Sequence, residues 1–177
     1  MDAESSKVLR KKKGNLASMA RKIELDGTDR ALLRALSENA RASGAALASA
    51  LCVAESTVSL RLRRLQREGV IRGYRAEFDT SRIGATVQAL IAIRLVKHAR
   101  AEIEAFRRAA PSYPGVMGLF HMAGADDFLL HVLARDADEL REFVLTYLTG
   151  HPAVAHTETN LVFEHADAPG WQSLLDG

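Results

Sequence analysis

The amino-acid sequence predicts an α+β chain of two modules, an N-terminal winged helix-turn-helix and a C-terminal ferredoxin-like βαββαβ unit. Three observations lead there. Between residues 25 and 79, apolar residues recur at helical spacing in three short runs separated by tight joints. Between residues 87 and 165 the apolar period alternates between strand and helix, in the order strand, helix, strand, strand, helix, strand. Charge is also divided, since residues 1–75 hold 16 Lys and Arg against 8 Asp and Glu, whereas residues 76–177 hold 8 against 14. A net charge of only +2 for the whole chain conceals this split. It suits two modules with different partners, the first of them a polyanion.

Composition sets the outer bounds. A chain of 177 residues with 47% hydrophobic and 26% charged residues has ordinary globular composition, which excludes disordered, collagen-like and disulfide-scaffold classes. No apolar stretch approaches the roughly 20 residues of a membrane span, and the basic N-terminus is not followed by a secretory apolar block. A cytoplasmic protein with no membrane partner is the expectation. The single cysteine, Cys52, has no disulfide partner and is too little for a thiolate zinc site, so it reads as a minor apolar residue.

Residues 1–24 carry Lys7, Arg10, Lys11, Lys12, Lys13, Arg21 and Lys22 without a hydrophobic period, which predicts a mobile basic arm. Met19 is an alternative start. Over 25–79, Asp26 and Asp29 predict a capped helix at about 28–39 with Leu32, Leu33 and Leu36 inward. Ser43 caps a second, alanine-rich helix through Ala46, Leu47 and Leu51. A third helix runs to about Arg67 on the stripe Val58, Leu62, Leu65 and stops at Gly69; Ile71 to Phe78 reads as a strand forming the wing. With that stripe turned inward, Ser56, Thr57, Ser59, Leu60, Arg61, Arg63, Arg64 and Arg67 fall on the outer arc, and Arg72 and Arg75 add charge just beyond. A helix fits the DNA major groove, hydroxyls donate to phosphates or bases, and arginine reaches guanine O6 and N7 in a fork.

After a linker at 80–86, Val87, Ala89, Ile91, Ile93 and Leu95 share one strand face, with Gln88 and Arg94 on the other. A helix at about 100–110 turns Ile103, Phe106 and Ala110 inward, and Pro111 to Gly115 ends it. Strands at Val116–Ala123 and Phe128–Ala134 flank the turn Gly124-Ala125-Asp126-Asp127. Asp136 and Glu139 open a helix with the stripe Leu140, Phe143, Val144, Tyr147 and Leu148, and Val154–Phe163 is the last strand, leaving 166–177 as a tail.

The string Glu55-Ser56-Thr57-Val58-Ser59-Leu60-Arg61-Leu62-Arg63-Arg64-Leu65 through Gly69-Val70-Ile71, with Leu25-Asp26 and Asp29 before it, resembles the DNA-binding domain of the Lrp/AsnC (feast/famine) transcription regulators. The resemblance covers about residues 23–165. Ala54 departs from the serine that usually caps the family's recognition helix, so either Ser56 caps a shorter helix or the helix starts uncapped. In the second module, Gly124 and Asp127 match the ends of the family's G-D-Y-D turn, and Thr157-Glu158-Thr159 matches its T-x-T. The resemblance implies a ligand-sensing and oligomerising domain, a homodimer or a larger assembly such as an octamer, and double-stranded DNA as partner. It also implies a small amino acid-like effector held by Gly124, Asp126, Asp127, Thr157 and Thr159. For this turn and these threonines, an ordinary hairpin and ordinary strand residues are the other reading.

No catalytic constellation, cofactor motif or metal set is legible. His121 and His131 flank the hairpin, and a site near both would have two ligands and lack a third. The expectation is therefore a sequence-specific transcription regulator and not an enzyme. An architectural DNA-binding protein and a ligand-binding regulatory subunit that does not touch DNA stand as alternatives.

Overall fold

The computed structural model describes residues 23–96, 100–166, 168 and 170–176. Most of the expected basic arm lies outside these residues. The described residues form two compact units, one from residues 23–76 with 170–176 and the other from the described residues between 77 and 168.

In the first unit, helix α1 spans Gly27–Glu38 and opens on a reciprocal cap. The Asp26 carboxylate accepts from the Asp29 amide at 2.8 Å, and the Asp29 carboxylate accepts from the Asp26 amide at 3.1 Å. Helix α2 spans Gly44–Leu51, with the Ser43 hydroxyl accepting from the Ala46 amide at 3.1 Å. Cys52 follows in the left-handed region at φ 52° and turns the chain. Helix α3 spans Glu55–Arg67, 105° from α2, the crossing typical of a helix-turn-helix. Its N-cap, Ala54, offers no side-chain acceptor, so the uncapped alternative is the one adopted, at about 1 kcal/mol. Gly69 at φ +74° ends α3, with the Val70 amide donating to the Leu65 carbonyl and the Gly69 amide to that of Gln66. Leu32, Leu36, Leu47, Ala48, Val58 and Leu65 make the core. At roughly 1.5–3 kcal/mol per large buried apolar side chain, they hold α3 against α1 and α2.

Two expectations change here. Ile71–Phe78 forms no strand, because the described residues of this unit contain no other strand to pair with it, and Tyr74 and Phe78 stand exposed. The C-terminal segment is structured: a 3₁₀ turn at Gly170–Leu175 buries Leu175 and sets Trp171 beside Leu33, Leu36, Val70 and Ile71. Gln172 donates to the Ser37 hydroxyl at 2.8 Å, and Arg34 pairs with Asp176.

The second unit is an antiparallel sheet in the order β2-β3-β1-β4, formed by β1 (Val87–Leu95), β2 (Val116–His121), β3 (Phe128–Ala134) and β4 (Val154–Leu161). Helix α4 (Arg100–Ala109) and helix α5 (Ala137–Phe143) contribute Phe106, Leu140 and Phe143 to the same core as Ala89, Ile91, Ile93, Phe128, Leu130 and Val132. The alternation of β1 and β3 thus buries one sheet face under both helices. The Asp136 carboxylate caps α5 by accepting from the Glu139 amide at 2.8 Å, after which Val144–Thr149 widens into a π-helical turn. The stripe read as one regular helix therefore ends in a wider one, which still brings Leu148 into the core.

Candidate nucleic-acid interface and effector site

Helix α3 turns Val58 and Leu65 inward and leaves Ser56, Ser59, Leu60, Arg63 and Arg67 exposed, with Thr57 half-buried beside them. Arg63 lies back along the helix, its Nη2 donating to the Ser59 hydroxyl at 3.1 Å, while Arg67 reaches Glu68 at 3.4 Å. Arg72 is exposed just beyond the helix.

Arg61 and Arg64 do not join this arc. Arg61 Nη1 donates to Asp26 at 2.6 Å and to Asp29 at 2.9 Å, and Arg64 Nη2 donates to the second oxygen of Asp29. Helical geometry supplies the reason: Arg61 stands three residues after Val58 and four before Leu65, on the edge of the buried stripe. Asp29 is wholly buried, and its partners account for both carboxylate oxygens. The cluster is not free of cost, since Arg61 Nε and Arg64 Nε are buried without a hydrogen-bond partner among the described residues. The Asp29 amide and then the Arg61 guanidinium hold the Asp26 carboxyl below its ordinary value, while Asp26 and then Asp29 raise the affinity of Arg61 for its proton. The sequence reading missed Asp29 as a functional position, since its capping role was visible but its distant arginine partners were not.

In the second unit, Gly124, Asp126 and Asp127 are brought together in the β2–β3 turn. Asp127 is committed to the hairpin: its carboxylate accepts from the Leu95 amide at 2.8 Å and its own amide donates to the Ile93 carbonyl at 2.9 Å. Arg94, read only as an outer-face residue, reaches across to the turn, donating to the Ala125 carbonyl at 3.1 Å and to Asp126 at 3.4 Å. Thr157 and Thr159 lie opposite Ile93 and Ile91 on β4. Strand β1 stands between them and the turn, so two strand spacings, about 10 Å, separate the two sets within one chain.

The histidine pair also separates. His121 pairs with Phe128, a core-facing residue, whereas His131 shares the open face with Gln88 and contacts its amide at 2.6 Å. The two therefore point to opposite faces, because they sit on different phases of the strand alternation. Partial burial, and secondarily His165, lowers the affinity of His131 for a proton. Among the described residues, no group of three or more His, Cys, Asp and Glu is arranged to hold a metal ion.

A helix-turn-helix with a hydroxyl- and guanidinium-bearing third helix, followed by a βαββαβ unit with an open sheet face, defines a DNA-binding regulator with a sensing domain. Comparison with known proteins agrees. Residues 25–66 match the AsnC-type helix-turn-helix domain, and residues 88–170 match the Lrp/AsnC ligand binding domain. The chain is 44% identical over 142 residues to the HTH-type transcriptional regulator AldR of Mycolicibacterium smegmatis, covering 80% of this chain and 83% of that one. A crystal structure of a transcriptional regulator from Neisseria meningitidis in complex with L-Met superposes with a TM-score of 0.77 at 27% identity, covering 82% of this chain and 94% of that one. The crystal structure of the Mycobacterium tuberculosis AldR gives a TM-score of 0.65 at 39% identity, covering 82% of this chain and all of that one. The chain belongs to the Lrp/AsnC family of transcription regulators, and it is a sequence-specific DNA-binding regulator that responds to an effector. No single helix among the described residues is long and apolar enough to cross a membrane.

Proposed function

We propose that α3 enters the DNA major groove and that Ser56, Thr57, Ser59, Leu60, Arg63 and Arg67 face the duplex, with Arg72 on the adjoining backbone. The observation that carries this reading is the sidedness of α3: its apolar side is sealed against α1 and α2, and the side left open is hydroxyls and guanidiniums. One such helix reads few base pairs, so two are used, about 34 Å apart. The open face of the sheet, where Leu90, Ala92, Leu129 and Leu133 are only half-buried and Phe120 is exposed, is the surface for a homodimer, from which larger assemblies such as octamers are built. The protein acts in the cytoplasm on double-stranded DNA.

The effector in this reading is a small amino acid. Its support is the L-Met bound by the Neisseria meningitidis relative and the match of Gly124, Asp127, Thr157 and Thr159 to the family pattern. Because β1 separates the turn from the threonines, the site is completed between subunits, with Asp126 for the ammonium and turn amides for the carboxylate. A ligand shared between subunits couples binding to assembly in both directions. Common amino acids at millimolar concentration are screened by thermal shift, and sedimentation of the full chain is run with and without any hit. The expected hit stabilises the wild type, changes the oligomer, and loses most of its effect in Asp126→Ala and Thr159→Ala. Equal stabilisation of all three proteins places the ligand elsewhere.

A further inference from the structure

We propose that Asp29 is a positioning residue for DNA recognition, pinning α3 to α1 and withholding Arg61 and Arg64 from the phosphates. The inference rests on the reading of α3 as the helix that faces DNA. Of the four arginines on α3, Arg63 and Arg67 are exposed, with only local partners on the helix or beside it, and Arg61 and Arg64 are drawn to one buried carboxylate. Asp29 sits at the first turn of α1, where the helix dipole already favours a negative charge, and its backbone is fixed by the reciprocal cap with Asp26. Arg61 and Arg64 are three residues apart, adjacent on one helical face, and they take different oxygens of that carboxylate. Arg61 also bridges to Asp26. Two guanidiniums bound to one rigid acceptor fix both the rotation of α3 about its axis and its distance from α1.

The consequence concerns specificity. Phosphate contacts are indifferent to sequence, whereas base contacts depend on where the helix sits in the groove. A free Arg61 or Arg64 would add affinity for any DNA, and an unpinned α3 would lose register on the cognate site. Asp29 therefore favours the cognate sequence twice, by removing unspecific contacts and by holding the helix that makes the specific ones.

Asp29→Asn keeps the shape and removes the charge. Binding of the full chain to cognate and to random DNA is measured between 50 and 200 mM salt, where each phosphate contact costs about 3.5-fold in affinity over that range. In Asp29→Asn the salt-induced loss on random DNA is expected to grow by about 3.5-fold to about 12-fold, as one or two guanidiniums reach phosphate, and the cognate-to-random ratio falls. Circular dichroism checks that the variant is folded. Arg64→Met, which keeps the apolar stem, carries the test if Asp29→Asn does not fold. It should leave the salt dependence of the wild type unchanged while lowering the cognate-to-random ratio, whereas Arg67→Met should flatten the salt dependence by about one contact. Arg64→Met flattening it as much as Arg67→Met overturns the proposal and leaves the DNA-facing helix intact. If neither variant alters binding at all, the reading of α3 as the interface fails with it.

Discussion

Gly115 gives a test of the hairpin whose magnitude can be worked from the structure. It stands at φ +75° just before β2, and a Cβ built there would lie 2.3 Å from the Leu133 carbonyl oxygen. Any side chain first incurs the cost of the left-handed region, about 1 kcal/mol. It must then push β2 away from β3, since the colliding atom is β3 backbone and not the far end of a flexible side chain. That movement breaks the 2.8 Å hydrogen bond from the Leu133 amide to the Gly115 carbonyl and loosens the neighbouring pair Val116 and Val132, at about 1 kcal/mol each. Gly115→Ala is therefore expected to destabilise the second unit by about 3 kcal/mol. Gly69→Ala is the control, because Gly69 shares a left-handed φ of +74° but has no atom of the described residues within 4 Å of the added Cβ; its loss is about 1 kcal/mol. Urea unfolding followed by circular dichroism measures both. A Gly115→Ala protein no less stable than Gly69→Ala would refute the collision argument.

Two further outcomes are expected. His131 binds its proton more weakly in the folded chain than the ordinary value near 6.5, through partial burial and then the neighbouring His165, so the stability it supports is complete above about pH 6.5 and is lost as pH falls through the lowered value; thermal unfolding between pH 7 and 5 should show this decline, and His131→Gln should flatten it. Trp171, the chain's only tryptophan, lies beside α1 on the C-terminal turn, so Leu175→Ala should shift its emission to the red and lower the stability of the first unit by about 2 kcal/mol, and unchanged emission and stability would detach the turn from this unit.

Legibility in the sequence followed the range of the interactions. The caps at Asp26 and Ser43, the stop at Gly69 and the alternating faces of β1 are set within a few residues, and each was readable from spacing. Phe128–Ala134 reads as a strand and is one. What escaped depends on partners far along the chain. Ile71–Phe78 has the residues of a strand but no strand to pair with among the described residues of the first unit, and Gly170–Leu175 has too short a run for periodicity to reveal it. The interface was legible in kind and not in detail: hydroxyls and arginines on α3 announced an anion-facing helix, yet the division of those arginines required Asp29, more than 30 residues upstream of both. In the same way, the Gly124–Asp127 turn was recognisable, whereas Arg94 reaching to Asp126 from β1 was not, because nothing local joins them.

The most direct test of the central claim is a titration of the full chain against the DNA upstream of its own gene and against random DNA of equal length, at 50, 100 and 200 mM salt. With Arg63, Arg67 and Arg72 of two subunits on the backbone, log K should fall with log salt at a slope of about −5, and the cognate site should be bound at least about 1,000-fold more tightly than random sequence. Equal affinity for both DNAs would contradict the account and make the protein an architectural binder, and a slope near zero would remove α3 from the phosphates.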